Sequence, residues 1–184
     1  MVNIYTYLEI FLDNLNKSVS LNEFEDYFHK PHQTIKTHLT TFTKPKILTE
    51  IKKKRFLYYT LNLENPLSKE YLVLCEKERL LNFLEKNTLF SRLYIELSQY
   101  FKDSKILIFG SSTEKKTFSD IDILAISTNK NIKPTIKKFQ ETYSVQIHLI
   151  QTTEKDLTKT FIKEIIPKHI IFNQHEYFLE VLYK

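Results

Sequence analysis

The stretch FGSSTEKKTFSDIDILAIS, residues Phe109 to Ser127, decides the fold assignment. It continues the apolar run Ile106–Phe109, which predicts a short strand inside a covered sheet. Gly110 follows that strand and is the sole glycine of the 184-residue chain. A glycine lets the backbone approach a ligand without an intervening Cβ, and a helical turn after it directs N–H groups towards a phosphate. The alternative is an ordinary turn at the end of a strand, but other turns in this chain manage without glycine.

Two carboxylates, Asp120 and Asp122, lie at the start of a second predicted strand, Ile121–Ile126. Residues i and i+2 of a strand point to the same face, so both carboxylates project together while Ile121 and Ile123 pack on the other side. Parallel carboxylates repel each other unless a cation lies between them, and their hard oxygens suit Mg²⁺, which also binds phosphate oxygens. Two such ions can hold the attacking and leaving oxygens of a phosphoryl displacement. The alternatives are an acidic strand end in water and Asp120 acting as an N-cap.

The combination is more specific than its parts. An apolar strand is followed by Gly-Ser, a spacer of eight residues (Ser112 to Ser119), and an Asp-apolar-Asp-apolar run. This pattern resembles the signature of the DNA polymerase β-type nucleotidyltransferase superfamily, and it looks most like the minimal nucleotidyltransferases of archaea and bacteria. The resemblance covers roughly residues 88–184 and implies a mixed sheet flanked by helices.

The resemblance also implies a reaction and the residues that perform it. Mg²⁺ or Mn²⁺ would be held by Asp120 and Asp122, and the β- and γ-phosphates of a nucleoside triphosphate, with ATP expected, by Gly110 and Ser111. A nucleoside monophosphate would pass to a hydroxyl of a protein or a small molecule, with release of pyrophosphate. Further phosphate contacts are suggested by proximity alone for Ser112, Lys115 and Lys116, and a solvated loop is the alternative for the two lysines.

One expected residue of that superfamily is missing. Active members carry a third carboxylate on a later strand, where it helps to bind the catalytic metal and accepts the proton of the nucleophile. The matching predicted strand is Val145–Ile150, and it places Gln146 and His148 on one face. We therefore assign His148 as a catalytic base or metal ligand. The alternative is an ordinary polar strand residue in a domain that catalyses little.

Helices are predicted around these strands by apolar spacing and capping residues. The predicted helices are Ser68–Asn87, Thr88–Lys102, Lys133–Tyr143, Glu154–Ile165 capped by Thr153, and Gln174–Tyr183 capped by Asn173.

The first 62 residues combine three short helical patterns with two alternating runs. The predicted elements are helices over Ile4–Leu15 and Leu21–His29, a third helix with Pro31 in its first turn, and strands over Ile47–Ile51 and Phe56–Leu61. Ser20 and Glu23 form a capping box for the second helix. The segments SLNEFEDYFHKPHQTIKTHLTTF and ILTEIKKKRFLYYTLN resemble the winged-helix domains of small prokaryotic regulators.

A winged helix would place its third helix in the major groove of double-stranded DNA. In that helix Ile35, Leu39 and Phe42 form the apolar face. The predicted DNA contacts are Gln33, Lys36, Thr37 and Thr40 on the opposite face and Lys52, Lys53, Lys54 and Arg55 at the tip of the hairpin. The alternative is a winged helix that binds protein and carries a solvated basic hairpin.

The sequence therefore predicts an α+β protein with a winged helix over residues 1–62, a helical connector over 63–87 and a nucleotidyltransferase-like domain over 88–184. The first functional hypothesis is a Mg²⁺-dependent nucleotidyltransferase. By resemblance, it would act as an antitoxin beside a toxin-like partner protein. The second hypothesis is a DNA-binding transcription regulator with a degenerate nucleotidyltransferase domain. The Leu- and Phe-rich connector offers a surface for a homodimer.

Composition bounds these hypotheses without choosing between them. The net charge of +5 and the pI near 9.0 permit binding to nucleic acids or nucleotides. One cysteine, Cys75, excludes a disulfide or a cysteine-based zinc site within the chain and favours a cytoplasmic setting. No apolar run approaches 18 residues and the N-terminus has no basic leader, so we expect neither a membrane span nor a signal peptide.

Overall fold

The structure, a computed structural model, describes residues 4–114 and 118–183 and is α+β. The chain forms two compact units, Met1–Glu78 and Arg79–Lys184. The division between them falls within helix α3, Pro66–Lys86. Among the helices of the described ranges, none is both long and apolar enough to cross a membrane.

The first unit combines helices with a three-stranded antiparallel sheet of order β1-β3-β2. Its elements before α3 are a 3-10 helix at Ile4–Phe11, β1 at Ser18–Ser20, α1 at Leu21–Phe28, α2 at His32–Thr43, β2 at Leu48–Lys53 and β3 at Phe56–Leu61. The predicted apolar face of α2 is buried through Ile35, Leu39 and Phe42. In the same unit, the ring of Phe24 meets that of Tyr59 edge-on.

The capping box of α1 is confirmed. The hydroxyl of Ser20 accepts a hydrogen bond from the N–H of Glu23 at 3.3 Å, and the Glu23 carboxylate accepts one from the N–H of Ser20 at 2.7 Å. The Ser20 hydroxyl also donates to the Glu23 carboxylate at 2.6 Å, and this bond, with the one from the Ser20 N–H, holds the pKa of Glu23 below its ordinary value because both stabilise the charged form. The box therefore sets where α1 begins.

Several predicted boundaries in this unit are wrong. The first helix is a 3-10 helix that ends at Phe11, and β1 was not foreseen. Pro31 precedes α2 as its N-cap with an extended backbone instead of lying in its first turn. Strand β2 continues to Lys53 because each of its residues finds a partner on β3, so the tip is the two-residue turn Lys54-Arg55.

The second unit contains a four-stranded mixed sheet of order β6-β5-β4-β7. Its elements after α3 are α4 at Thr88–Ser98, β4 at Lys105–Phe109, β5 at Asp120–Ile126, α5 at Ile132–Tyr143, β6 at Gln146–Thr152, α6 at Lys159–Ile165, β7 at His169–Ile171 and α7 at His175–Leu182. Short 3-10 turns occupy Ser111–Thr113 and Glu154–Asp156. Strands β5 and β6 are parallel, whereas β4 pairs antiparallel with both β5 and β7.

Apolar residues cover both faces of this sheet. On one face Ile106 and Ile108 of β4 join buried residues of α4 and α5, and on the other Leu107 joins buried residues of α6 and α7. Burial on both faces explains why β4 is a continuous apolar run. The prediction of a strand in the interior of a covered sheet is confirmed.

The chain after β6 departs from the prediction. The expected helix over Glu154–Ile165 is interrupted, and α6 begins only at Lys159, where Thr158 accepts from the N–H of Phe161. Thr153 does not cap a helix, because its hydroxyl donates to the Asp156 carboxylate.

Asn173 is not the cap of the last helix, because Gln174 occupies the N-cap position. The side chain of Asn173 instead accepts from the N–H of Ile106 and donates to the carbonyls of Phe101 and Ser104. Strand β7 was not expected, and α4 ends at Ser98 instead of Lys102.

Turns elsewhere in the chain use residues other than glycine in a left-handed conformation. Within the described ranges, the non-glycine residues with φ between 50° and 59° are His29, Lys46, Lys54, Ser144 and Gln174. Asparagine, aspartate and glycine are the usual occupants of this region.

Candidate functional site

Gly110 connects β4 to the short turn Ser111–Thr113 in a conformation that requires glycine. Its φ is 78° and its ψ is −162°, a region that residues with a Cβ essentially do not adopt. A Cβ built on this residue would lie 2.6 Å from Oδ2 of Asp122. The Gly110 N–H donates to the carbonyl of Lys168 at 2.9 Å, which fixes the turn to the segment before β7. The glycine therefore lets the backbone pass directly beside the Asp122 carboxylate.

The turn after Gly110 has the beginnings of an anion site. The Gly110 carbonyl accepts from the N–H of Thr113 at 3.2 Å and from its hydroxyl at 2.8 Å. The first N–H groups of a helical turn have no partner within that turn, and here they belong to Ser111 and Ser112. Ser112 is only 2% exposed, and its hydroxyl has no hydrogen-bond partner among the described residues. An orphaned buried hydroxyl is unusual and fits a site that expects a polar ligand.

The two carboxylates and His148 come together across β5 and β6. Because these strands are parallel and in register, Asp122 lies opposite His148 and Asp120 opposite Gln146. One ligand atom each from Asp120, Asp122 and His148 lies within 4.8 Å of the other two. The Nδ1 atom of His148 is 3.7 Å from Oδ1 of Asp122. The strand pairing thus assembles the three residues assigned from the sequence as catalytic, with Ile121 and Ile123 buried on the opposite face.

The electrostatics of this group are those of two carboxylates held close together in a partly buried site. Burial raises the pKa of the Asp122 carboxyl, and the negative charge of Asp120 raises it further, while His148 opposes the change. The hydroxyl of Ser119 donates to Oδ1 of Asp120 at 2.5 Å and holds that carboxylate in place. Two carboxylates held close together on one strand face lose repulsion when a positive ion binds between them.

The acids that follow β6 do not supply the third carboxylate. Glu154 pairs with Lys105 at 2.8 Å, and Asp156 accepts from the hydroxyl of Thr153 at 2.6 Å. Gln146, opposite Asp120, is exposed and carries no charge. Among the described residues, His148 is therefore the side chain that joins the aspartate pair.

Lys168 is a basic residue near the site that the sequence did not single out. Its carbonyl accepts from the Gly110 N–H, and its ammonium lies 2.9 Å from Oε2 of Glu114, just after the turn. Nothing in the local sequence connects Lys168 with Gly110, because the contact depends on the pairing of β7 with β4. Lys115 and Lys116, suggested as phosphate contacts, lie outside the described residues.

A second candidate surface lies on the first unit. The α2 residues assigned to DNA, namely Gln33, Lys36, Thr37 and Thr40, are all exposed, and so are Lys52, Lys53, Lys54 and Arg55 of the hairpin. The hydroxyls of Thr37 and Thr40 donate to the carbonyls of Gln33 and Lys36 at 2.8 Å. These hydroxyls would have to exchange partners, or act as acceptors, to contact a base.

Comparison with known proteins identifies no relative from which a function could be inferred. No family model matches this chain, and neither a curated protein nor a solved structure does so. The features of the molecule that bear on function are the glycine turn, the carboxylate–histidine group and the exposed basic surface.

Proposed function

We propose that the second unit is a nucleotidyltransferase-type domain that binds a nucleoside triphosphate with a divalent cation. The observation that carries the proposal is the position of Gly110 beside the Asp122 carboxylate. A Cβ at this residue would lie 2.6 Å from Oδ2 of Asp122, so only glycine leaves room for the carboxylate there. The turn suited to phosphates and the residues suited to a cation are thereby one site. A metal-bound triphosphate needs both kinds of group side by side.

The residues present fit a divalent ion and a triphosphate. Asp120, Asp122 and His148 would hold the ion, and the N–H groups of Ser111 and Ser112, with the orphaned Ser112 hydroxyl, would hold phosphate oxygens. A bound divalent cation supplies charge neutralisation at the phosphates and polarises the bond that breaks. The protein side of the reaction is the alignment of that phosphate chain between the turn and β5.

The proposed reaction is transfer of a nucleoside monophosphate to a hydroxyl. The hydroxyl loses its proton to solvent as its oxygen forms a bond to the α-phosphorus, the bond from that phosphorus to the bridging oxygen breaks, and pyrophosphate leaves. ATP is the first substrate to test, and the acceptor hydroxyl belongs to a protein or a small molecule. The sequence resemblance also suggests a toxin-like partner protein.

Thermal unfolding with each nucleoside triphosphate, with and without Mg²⁺ or Mn²⁺, tests the binding part of the proposal. A ligand at 100 times its dissociation constant stabilises the folded protein by about 2.7 kcal/mol, which raises the midpoint by several degrees. We expect a metal-dependent increase that Asp120→Asn with Asp122→Asn abolishes. The matched control is Asp103→Asn with Glu141→Gln, which removes two exposed acids of the same unit and should leave the increase unchanged.

A label-transfer assay tests the reaction itself. ATP labelled at the α-phosphate should label the acceptor, whereas ATP labelled at the γ-phosphate should not. Labelling from the γ-position would show phosphoryl transfer and contradict the nucleotidyl assignment. If no nucleotide stabilises the wild-type protein with either ion, the site is not a nucleotide site and the proposal fails.

DNA binding by the first unit is the second candidate. It is supported by the exposed basic hairpin and the exposed polar face of α2, which belong to one unit in which helical segments precede a β-hairpin. The sequence resemblance to winged-helix domains is the other support. Alanine at Lys52, Lys53, Lys54 and Arg55 should weaken binding to duplex DNA and lower the slope of log K against log salt by up to about 3–4. Alanine at Lys137 and Lys138, exposed on α5, is the control. A slope that does not change, or no binding at moderate salt, would exclude this role for the hairpin.

A further inference from the structure

We propose that His148 makes the metal site of β5 and β6 a mixed carboxylate–imidazole centre that selects a first-row transition ion, such as Mn²⁺, over Mg²⁺. This inference rests on the cation-binding part of the proposed function and specifies which cation the site takes. It concerns the side chain with which this chain departs from the expected third carboxylate.

The ligand atoms of Asp120, Asp122 and His148 lie close enough together to share one ion. Ligand atoms that share one ion at about 2.1 Å lie roughly 3–4 Å apart. The Nδ1 of His148 is already 3.7 Å from Oδ1 of Asp122, and atoms of all three side chains lie within 4.8 Å of one another. Only small side-chain rotations are needed for all three to reach a single ion. The His148 side chain is 77% exposed, so its ring has room to make such a rotation.

The pairing of β5 with β6 places His148 beside the aspartates. Parallel register puts His148 directly opposite Asp122, and neighbouring strands lie about 4.8 Å apart. The same register puts the uncharged Gln146 opposite Asp120. The available donors are therefore two carboxylates and one imidazole, with no third carboxylate in the described part of the group.

The two carboxylates and one imidazole of this group differ from the all-oxygen ligand set that Mg²⁺ prefers. Mg²⁺ prefers oxygen ligands, whereas imidazole suits Fe, Ni, Cu and Zn ions, and the affinity of a given site rises from Mn²⁺, the weakest binder of the first-row series, towards Cu²⁺. Replacement of an anionic oxygen by a neutral nitrogen also removes a negative charge that a hard ion would use. The donor set therefore weakens Mg²⁺ and favours an ion that accepts both nitrogen and oxygen.

Two features of the turn that follows β4 fit a ligand beside Asp122. The Ser112 hydroxyl is buried without a partner, and Gly110 keeps clear the space beside Oδ2 of Asp122. Both are explained if phosphate and cation meet beside the carboxylate.

The test measures metal binding by the full-length protein without nucleotide. The electron paramagnetic resonance signal of aqueous Mn²⁺ disappears on binding, which gives its dissociation constant, and competition gives that of Mg²⁺. We expect His148→Ala to lower the ratio of Mn²⁺ affinity to Mg²⁺ affinity by about 10–100-fold. His148→Asp should lower the ratio as well, but by tightening Mg²⁺. The matched control His32→Ala makes the same truncation at an exposed histidine of the other unit and should leave the ratio unchanged.

A second readout needs no variant. In wild-type protein, small amounts of Mn²⁺ should broaden the imidazole NMR signals of His148 and leave those of His32 sharp. An unchanged affinity ratio in His148→Ala, an unbroadened His148 ring, or no binding of Mn²⁺ at all would overturn the inference. If Mn²⁺ binds through His148 but no nucleotide stabilises the protein, the nucleotidyltransferase proposal fails and the metal assignment stands. If nucleotide binds and the ratio ignores His148, only the present inference fails.

Discussion

The exchange Gly110→Ala tests whether the glycine turn and the carboxylates form one site. An L-alanine at φ 78° and ψ −162° occupies a backbone region that glycine alone tolerates, at a cost of about 1–3 kcal/mol. Its methyl carbon would lie 2.6 Å from Oδ2 of Asp122, so the carboxylate must move by about 0.8 Å to restore an ordinary contact. The Cγ and Cβ atoms of Asp122, at 3.6 and 3.9 Å, already lie at contact distance, so rotation of the carboxylate relieves the overlap.

The expected result is a loss of both stability and metal affinity. For a domain of about 100 residues, 1 kcal/mol corresponds to a shift of roughly 4–8 °C, so the midpoint of the second unit should fall by at least about 4 °C. Because the carboxylate that moves is a proposed ligand, Mn²⁺ affinity should fall at least about 10-fold. Thermal unfolding followed by circular dichroism and the Mn²⁺ resonance titration measure the two effects on the same samples.

A double-mutant cycle with Asp122→Ala separates the two causes. Asp122→Ala removes the oxygen that the new methyl group would meet, so Gly110→Ala should destabilise less in that background, with the backbone strain alone remaining. If Gly110→Ala unfolds at the wild-type temperature and binds Mn²⁺ as the wild type does, the glycine turn and the carboxylates do not form one site. Equal costs of Gly110→Ala in both backgrounds would refute the contact between the turn and the carboxylate.

Three further predictions concern stability. Ser20→Ala removes the capping hydroxyl of α1, which lowers the free energy of unfolding by about 1 kcal/mol in urea titrations, whereas Ser20→Asn, with another capping side chain, should retain most of it. Burial raises the pKa of the Glu78 carboxyl, against hydrogen bonds with Thr6 that lower it and with the charge of Glu9 adding to the rise, so the folded state favours the protonated form. The stability that Glu78 contributes is therefore fully present below the ordinary pKa of the carboxyl and is lost as the pH rises through its raised pKa. Glu78→Gln should unfold at a higher temperature than wild type at pH 8. Equal unfolding midpoints at that pH would contradict a raised pKa for Glu78. Leu93 is fully buried in the second unit, and Leu93→Ala should cost about 2–5 kcal/mol, while Ile95→Ala, at a side chain 68% exposed on the same helix, should change stability by less than about 1 kcal/mol.

The parts of the site that follow from strand alternation could be predicted from the sequence. Asp120 and Asp122 share a face because they are two residues apart, and the apolar residues between and after them identify the strand. The glycine turn could be predicted because Gly110 follows an apolar run directly. Each of these inferences uses neighbours in the chain, and the structure has both features where the sequence placed them.

The remaining parts depend on contacts between distant residues. Strand β1 has three residues, Ser-Val-Ser, and becomes a strand only because Val19 pairs with Tyr59. The side chain of Asn173 bonds with Ile106, which lies 67 positions earlier, so its local sequence suggested a cap instead. Likewise, the sequence placed His148 on a face of its strand, but only the register of β6 against β5 brings it opposite Asp122. Local patterns contain no information on such register.

The turns of this chain leave room for engineering away from Gly110 and the carboxylates. His29, Lys46, Lys54, Ser144 and Gln174 hold left-handed backbone at a cost of roughly 1 kcal/mol each, and glycine would adopt the same angles without a Cβ penalty. Gly110 is the opposite case, since its angles lie where no L-residue can follow. A more heat-resistant protein is therefore reached by adding glycine at turns where the chain has none, while the one glycine it has stays fixed.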